Sequence, residues 1–350
     1  MMPKFAYQNK PLLDKITNAF LVNSCYVENN SLNGGKMGIA VYFFMLSRYS
    51  PKQEYADFAF ALLEILLAEE AGKEISPALD YFDGITGIGI WIIKLIEQDF
   101  FEADRDEILT FIDNRIFDYI GIINKSKEIS ILDSISICFY LQARLKDKTT
   151  ADQEWDMLVI TEHLIIAIEE IKLKISGMHS INYGIVSAYL KILLRNYEAQ
   201  IYEGYSLEKI NEVIDLNLFE QISHEKDMSV EKLLFLSTVF DIAKIKCDNN
   251  LKNKIFRVLN NLELKGVQLS SLAFRESQIF RYINKKFLRQ SKQDIYKYYE
   301  NELKGTQYEF FNKVHQANYS FSDLTNAGIA IFGGNIQSSF MDEHIYLMAV

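Results

Sequence analysis

The chain has 350 residues, of which 49% are hydrophobic and 24% are charged, and it contains only 4 prolines and 16 glycines. This composition is that of a globular protein, and so few helix breakers favour long helices over an all-β fold with many tight turns. The formal net charge is -10, and no basic run is long enough to follow a phosphate backbone, so nucleic acid is not an expected partner.

The three cysteines, Cys25, Cys138 and Cys247, are far apart and form no CxxC or CxH pattern. This usage fits a reducing compartment and predicts no thiolate metal site. The N-terminal segment has no apolar core of signal-peptide length, and the longest apolar stretches, such as residues 87–93, are far shorter than the roughly 18 residues of a membrane span. We therefore predict a cytoplasmic protein without membrane insertion.

Three segments share one pattern, a polar or glycine-rich turn followed by a strongly apolar helix. They are SLNGGKMGIAVYFFML from Ser31, YFDGITGIGIWIIKLI from Tyr81 and SINYGIVSAYLKILL from Ser180. Their glycines at positions 35, 84 and 184 fall about 50 residues apart or a multiple of it, a period long enough for two helices per unit. The same period predicts weaker copies near Ser134, Ser229, Ser270 and Ser322.

Amphipathic helices are predicted between the copies, for example from Glu54, Asp106 and Glu162. The apolar helices after the turns are expected to be fully buried, and the amphipathic ones to face water on one side. Alternation over seven copies predicts an all-α fold, an (α/α)7 toroid of two concentric helix rings that forms one domain over residues 1–350. An open solenoid is the alternative, but the apolar C-terminus (345–348) is better buried by ring closure.

In such a ring the N-terminal ends of the inner helices gather at one mouth, where glycine permits close backbone approach and a positive φ. Unpaired N–H groups there favour an anionic group or a substrate carboxylate. Asp83 and Asp133 directly precede the helix starts of the second and third copies, and we expect both to act mainly as N-caps. The acidic stretch 97–107 is interpreted as a solvated turn in which Asp104 caps the next helix.

Glycine-led helices in seven copies resemble the lanthionine synthetase C-like (lanthipeptide cyclase) family. The resemblance covers essentially the whole chain and is strongest in SLNGGKMGIAVYFF and GITGIGIWIIKLIEQDFFEADRDEILTFIDNRI. The ending AGIAIFGG followed by MDEHIYL is similar to the close of the family's sequences. The resemblance implies the (α/α)7 toroid.

Cyclases of that family hold a zinc ion with a cysteine in the fifth copy and a Cys-His pair in the sixth, and the zinc activates a peptide thiol for thioether formation. The resemblance places the first ligand near Val230 and aligns the Cys-His-Gly of the sixth copy with Ala273, Phe274 and Arg275. Cys247 is too far along its helix to substitute. The resemblance therefore implies that the zinc-dependent reaction is lost, with no metal, no other cofactor and no catalytic residue assigned.

Four residues are the candidates for substrate binding at the mouth: Asp80, Asp83, His179 and Tyr183. Asp80 precedes Gly84 by four residues, a spacing similar to that of an aspartate in family cyclases, although in another copy. His179 and Tyr183 bracket the fourth turn, where the family usually carries a histidine. His179 could be a general base, but simple turn packing is the favoured interpretation.

Three functions stay open at this stage. The first is a pseudo-cyclase or accessory factor in lanthipeptide-type modification, which binds a precursor peptide or a peptide-modifying enzyme such as a dehydratase. The second is a metal-free enzyme that uses Asp80, Asp83 and His179 on a peptide or carbohydrate. The third is a helical-repeat protein-interaction module.

Overall fold

Helices account for every regular element in the part of the chain that the structure describes. This computed structural model describes residues 10–50, 52–73, 78–123, 130–146, 154–214, 218, 221–222 and 229–261. Within them the elements are eleven α-helices and one 3₁₀ turn, which confirms the all-α prediction. None of the described helices is both long and apolar enough to cross a membrane.

Contacts divide the described residues into two compact units, 10–144 and 145–261. The first unit contains α1 (Lys10–Asn23), a 3₁₀ turn (Ser24–Tyr26), α2 (Lys36–Tyr49), α3 (Gln53–Ala71), α4 (Ile85–Glu97), α5 (Arg105–Ile123) and α6 (Ile131–Leu145), which ends at the boundary. The second contains α7 (Glu154–Ser176), α8 (Tyr183–Glu198), α9 (Glu203–Ile214), α10 (Val230–Ile245) and α11 (Asn249–Asn261).

Fully buried helices alternate with half-exposed ones, as the sequence predicts. Every residue of 36–46 in α2 and of 85–95 in α4 is buried, whereas α3 between them buries only one face. Within the first unit α2 packs against both α3 and α4, and within the second α8 packs against α7, α9 and α10. Consecutive buried helices are therefore neighbours, which is the arrangement of a helical repeat.

The repeat is visible in the hydrogen bonds that precede α2 and α4. Lys36 N donates to the carbonyl of Asn29, and Ile85 N donates to the carbonyl of Ala78, each at 3.0 Å. The donors, residues 36 and 85, are 49 residues apart, and so are the acceptors, residues 29 and 78. The turns themselves are joined, because Leu32 N donates to the carbonyl of Phe82 at 3.0 Å.

Glycine at the start of these helices serves close packing. Gly35 and Gly84 are the N-caps of α2 and α4, and both have extended backbones with φ of -96° and -108°. A Cβ at Gly35 would lie 2.4 Å from Ser31 N, and a Cβ at Gly84 would lie 2.4 Å from the carbonyl oxygen of Asp80. The positive φ of the first turn belongs instead to Gly34, at 77°.

In other copies a polar side chain caps the helix that follows the turn. The hydroxyl of Ser130 accepts from Leu132 N at 3.1 Å and from Asp133 N at 3.4 Å, and α6 starts three residues before Ser134. The prediction that Asp133 is an N-cap is therefore wrong: Asp133 lies in the first turn of α6. Asn182 caps α8 and Ser229 caps α10. The copies predicted from Ser270 and Ser322 lie outside the described residues, so the toroid and the single domain stay predictions.

Replacing Gly84 with alanine tests the packing of the turn. We expect Gly84→Ala to lower the free energy of unfolding by about 1–3 kcal/mol, because the new methyl group would overlap backbone atoms that cannot move independently. Gly121→Ala in α5 is the control, since a Cβ there meets nothing within 4 Å, and we expect it to raise stability by about 0.5–1 kcal/mol. Urea unfolding measures both. Equal effects of the two substitutions would contradict the close approach.

Candidate functional site

Asp80 is built into the turn before α4. Its Oδ1 accepts hydrogen bonds from Phe82 N at 2.9 Å and from Asp83 N at 2.7 Å. The N-cap of α4 is Gly84, which has no side-chain bond, so the prediction that Asp83 caps this helix is wrong. The carboxylate that accepts backbone N–H bonds in this turn is that of Asp80, three residues before Asp83.

Asp83, at the other end of this turn, is exposed. Partial desolvation and the negative charge of Asp80 raise the pKa of Asp83, while a hydrogen bond with Ser31 acts against this rise. Asp80 and Asp83 therefore lie together in one turn, beside the turn of the first copy. The two turns are joined at the N-terminal ends of α2 and α4, where Leu32 N donates to the carbonyl of Phe82.

His179 and Tyr183 belong to the second unit, on either side of the start of α8. His179 is exposed, whereas the ring of Tyr183 is buried and packs at 5.5 Å from the ring of Phe235. Lys232 Nζ lies 6.0 Å from the centre of the Tyr183 ring. The ring of Tyr183 is therefore packed in the interior, and His179 is the accessible member of this pair.

The positions that the resemblance assigns to zinc are described only in part. Val230 is the first residue of α10, and Cys247 follows the end of that helix at its opposite side, as predicted. Ala273, Phe274 and Arg275 lie outside the described residues. Among the residues that are described, no three His, Cys, Asp or Glu side chains are grouped so that they could hold a metal ion. Asp104 caps α5 as expected, accepting from Asp106 N at 2.8 Å.

A pocket in the first unit was not predicted from the sequence. It has a volume of about 600 Å³, within the range typical of ligand sites. Its lining comes from the 3₁₀ turn, the two residues after it, the start of α2 and one stripe of α3: Ser24, Cys25, Val27, Glu28, Lys36, Phe58, Leu62, Ile65 and Glu69.

Lys36 supplies the cation of this pocket, and its surroundings fix it in place. Its Nζ donates to Glu69 Oε2 at 2.6 Å, to Asn30 Oδ1 at 3.2 Å and to the carbonyl of Glu28 at 3.4 Å. The Lys36 side chain is only 10% exposed, so these bonds replace most of its hydration. In return, the bond from Lys36 holds the pKa of Glu69 below its ordinary value.

Behind Glu69, the buried carboxylate of Glu70 ties α3 to α5. Glu70 Oε1 accepts from Asn30 Nδ2 at 2.8 Å and pairs with Lys73, while Glu70 Oε2 lies 3.6 Å from Arg115 Nη1. Arg115 Nη2 also donates to the main-chain carbonyls of Glu70 and Lys73 at 2.5 and 2.6 Å. This network fixes the end of α3 and therefore the direction of the Glu69 side chain.

One stripe of α3 forms the wall of the pocket. Phe58, Leu62, Ile65 and Glu69 are spaced by four, three and four residues, so they lie on one face of the helix. Ile65 is 48% exposed although it is apolar. The sequence contains one signal for this pocket: a lysine at the first position of a helix, before the apolar run 37–46, where the helix dipole disfavours a cation.

Comparisons of the chain with models of protein families, with curated proteins and with solved structures found no match in any of the three.

The two aspartates of the α4 turn should respond oppositely to substitution. We expect Asp80→Ala to lower the free energy of unfolding by about 1 kcal/mol, because two backbone N–H groups lose their acceptor. Asp83→Asn should raise the melting temperature at pH 7, since a carboxyl with a raised pKa opposes folding when it is ionised. This gain should vanish near about pH 3, where the unfolded chain is also protonated. Thermal melts at the two pH values measure it; a lower melting temperature of Asp83→Asn at pH 7 would contradict the analysis.

The neighbouring glutamates of α3 should differ in their contribution to stability. We expect Glu70→Gln to cost about 3 kcal/mol, because the buried carboxylate that pairs with Arg115 and Lys73 is replaced by a neutral amide. Glu69→Gln should cost about 1 kcal/mol, since Glu69 is 42% exposed and water screens its pair with Lys36. Because the folded-state pKa of Glu69 is lowered, its contribution is present at neutral pH and is lost as the pH falls into the acid range. Urea unfolding at pH 7 and in acid tests this; equal costs for the two variants at pH 7 would refute it.

Proposed function

We propose that this chain is a lanthionine synthetase C-like protein that binds a precursor peptide, or the enzyme that modifies it, without performing the zinc-dependent cyclisation. The observation that carries the proposal is the 49-residue repeat in the turns before α2 and α4. Two buried helices lie side by side, each led by a glycine that its own turn packs against. This is the local arrangement that the resemblance implies for the inner helices.

Loss of the zinc reaction is supported by the residue at the start of α10. The resemblance assigns a zinc-binding cysteine to this position, and Val230 occupies it. A valine side chain has no atom that can bind zinc, and the cyclase mechanism requires soft ligands as well as an open position for the peptide thiolate. A protein with this fold and without that ligand would keep the surface for the peptide and lose the reaction.

A binding role is better supported than a metal-free enzyme that uses the predicted mouth residues. Asp80 Oδ1 accepts two hydrogen bonds within its own turn, and the ring of Tyr183 packs against the ring of Phe235. Asp83 and His179 are accessible, so only two of the four candidates are free to contact a substrate with their side chains. By contrast, the first unit holds a pocket of about 600 Å³ with both apolar and charged walls.

Metal content and peptide binding together test this function. We expect protein purified without chelator and without a metal-affinity tag to contain far less than one zinc per chain by elemental analysis. We also expect a fluorescent precursor peptide, or a dehydratase encoded by a neighbouring gene, to bind in fluorescence anisotropy, while a scrambled peptide of the same composition does not. One zinc per chain would return a cyclase as the leading function, and loss of binding to every such partner would overturn the accessory role.

A further inference from the structure

Two positions of the first turn are polar where the repeat shows that the fold accepts apolar residues. The 49-residue offset pairs Lys36 with Ile85 and Asn30 with Leu79, and all four are buried. The turn of the second copy forms the same hydrogen bond with isoleucine in place of lysine. The backbone of the repeat therefore accepts an apolar residue at both positions, and a buried polar residue at such a position points to function.

The ammonium group of Lys36 has no hydrogen left with which to bind a ligand in the pocket. Its three bonds, to Glu69, Asn30 and the carbonyl of Glu28, use the three hydrogens that a lysine can donate. What the bonds achieve is to hold the Glu69 carboxylate, which is 42% exposed, at the end of the apolar stripe of α3. Lys36 thus positions an anion at the pocket.

The charge and shape of the pocket favour a cation on an apolar stem. Glu28 and Glu69 bring two carboxylates to the lining and Lys36 brings one ammonium, so the lining carries one excess negative charge, within a chain of net charge -10. Phe58, Leu62 and Ile65 form an apolar wall that leads to Glu69. Arginine and lysine side chains combine a methylene stem with a charged head, and they bind in this way along apolar surfaces.

We propose that this pocket binds a basic side chain of a peptide, with its stem against Phe58, Leu62 and Ile65 and its charged head against Glu69. The proposal rests on the proposed function and specifies it, because it names the kind of peptide residue that the protein recognises. The volume of about 600 Å³ leaves room for residues on either side of the basic one. Carboxylates also pair well with a guanidinium, which offers several N–H donors in a fixed plane.

Cys25 gives a direct reporter of occupancy. Cys25 lines the pocket and is exposed, Cys247 is exposed in the other unit, and Cys138 is buried. In the full-length protein, alkylation of Cys25 and Cys247 by iodoacetamide can be followed separately by peptide mass spectrometry. The probe is an acetylated, amidated leucine–arginine–leucine peptide, and its matched control carries citrulline, which keeps the shape of arginine without the charge. We expect the arginine peptide to slow alkylation of Cys25 and to leave Cys247 unchanged.

Charge variants of the pocket sharpen the test. We expect the concentration of arginine peptide needed for protection to rise about tenfold in Glu69→Gln, as a charge-assisted hydrogen bond is lost. Glu28→Gln, at an exposed position, should also weaken protection and serves if Glu69→Gln fails to fold. Glu64→Gln is the matched control, since Glu64 is exposed on α3 and is not among the lining residues. It should behave as the unaltered chain.

Three results would overturn the inference: equal protection by the arginine and citrulline peptides, no protection of Cys25 by either, or equal protection by free agmatine, which would make the pocket a site for small cations. These results are distinct from failure of the proposed function. If a precursor peptide binds in anisotropy but leaves alkylation of Cys25 unchanged, the accessory role stands and the peptide binds elsewhere. If no precursor or dehydratase binds while the arginine peptide protects Cys25, the pocket stands and the lanthipeptide role falls.

Discussion

The close approach of each turn to the helix that follows it is the constraint on which the first unit depends. The chain folds back so tightly before α2 and α4 that a Cβ on Gly35 or Gly84 would lie 2.4 Å from backbone atoms of the turn. Because the turn packs directly on the helix, the two turns can also bond to each other, through Leu32 N and the carbonyl of Phe82. Neighbouring buried helices are thereby aligned at their N-terminal ends.

The same constraint determines where Lys36 lies. As the residue that follows Gly35, Lys36 donates its main-chain N–H to Asn29, so the start of α2 is held against the turn. From there its side chain reaches Glu69 near the end of α3, and Glu70 beside it pairs with Arg115 of α5. The backbone hydrogen bonds that align the helices therefore also determine where Lys36 holds the carboxylate of Glu69 in the pocket.

The helical repeat could be predicted from the sequence because it depends on local patterns, namely glycine-led turns, apolar runs and amphipathic stretches. The roles of individual polar residues could not. Asp83 and Asp133 precede the predicted helix starts, but the side chains that accept backbone N–H bonds there are Asp80 and Ser130. A shift of three residues changes which side chain reaches the backbone, and only the folded turn decides it. The pocket could not be predicted from the sequence, because its lining residues come from separate helices that meet only in the folded chain.

Differences between copies of a repeat separate what the fold requires from what a site requires. Gly35 and Gly84 are the same in both copies because any side chain would collide with the turn. Lys36 and Ile85 differ although their backbones make the same bond, so packing leaves this choice open. Burying a lysine carries a desolvation penalty that an isoleucine avoids, and an ion pair with a half-exposed glutamate offsets only a small part of that penalty. A buried lysine at a position where the repeat accepts isoleucine is explained by the group that it holds in place, which here is the carboxylate of Glu69.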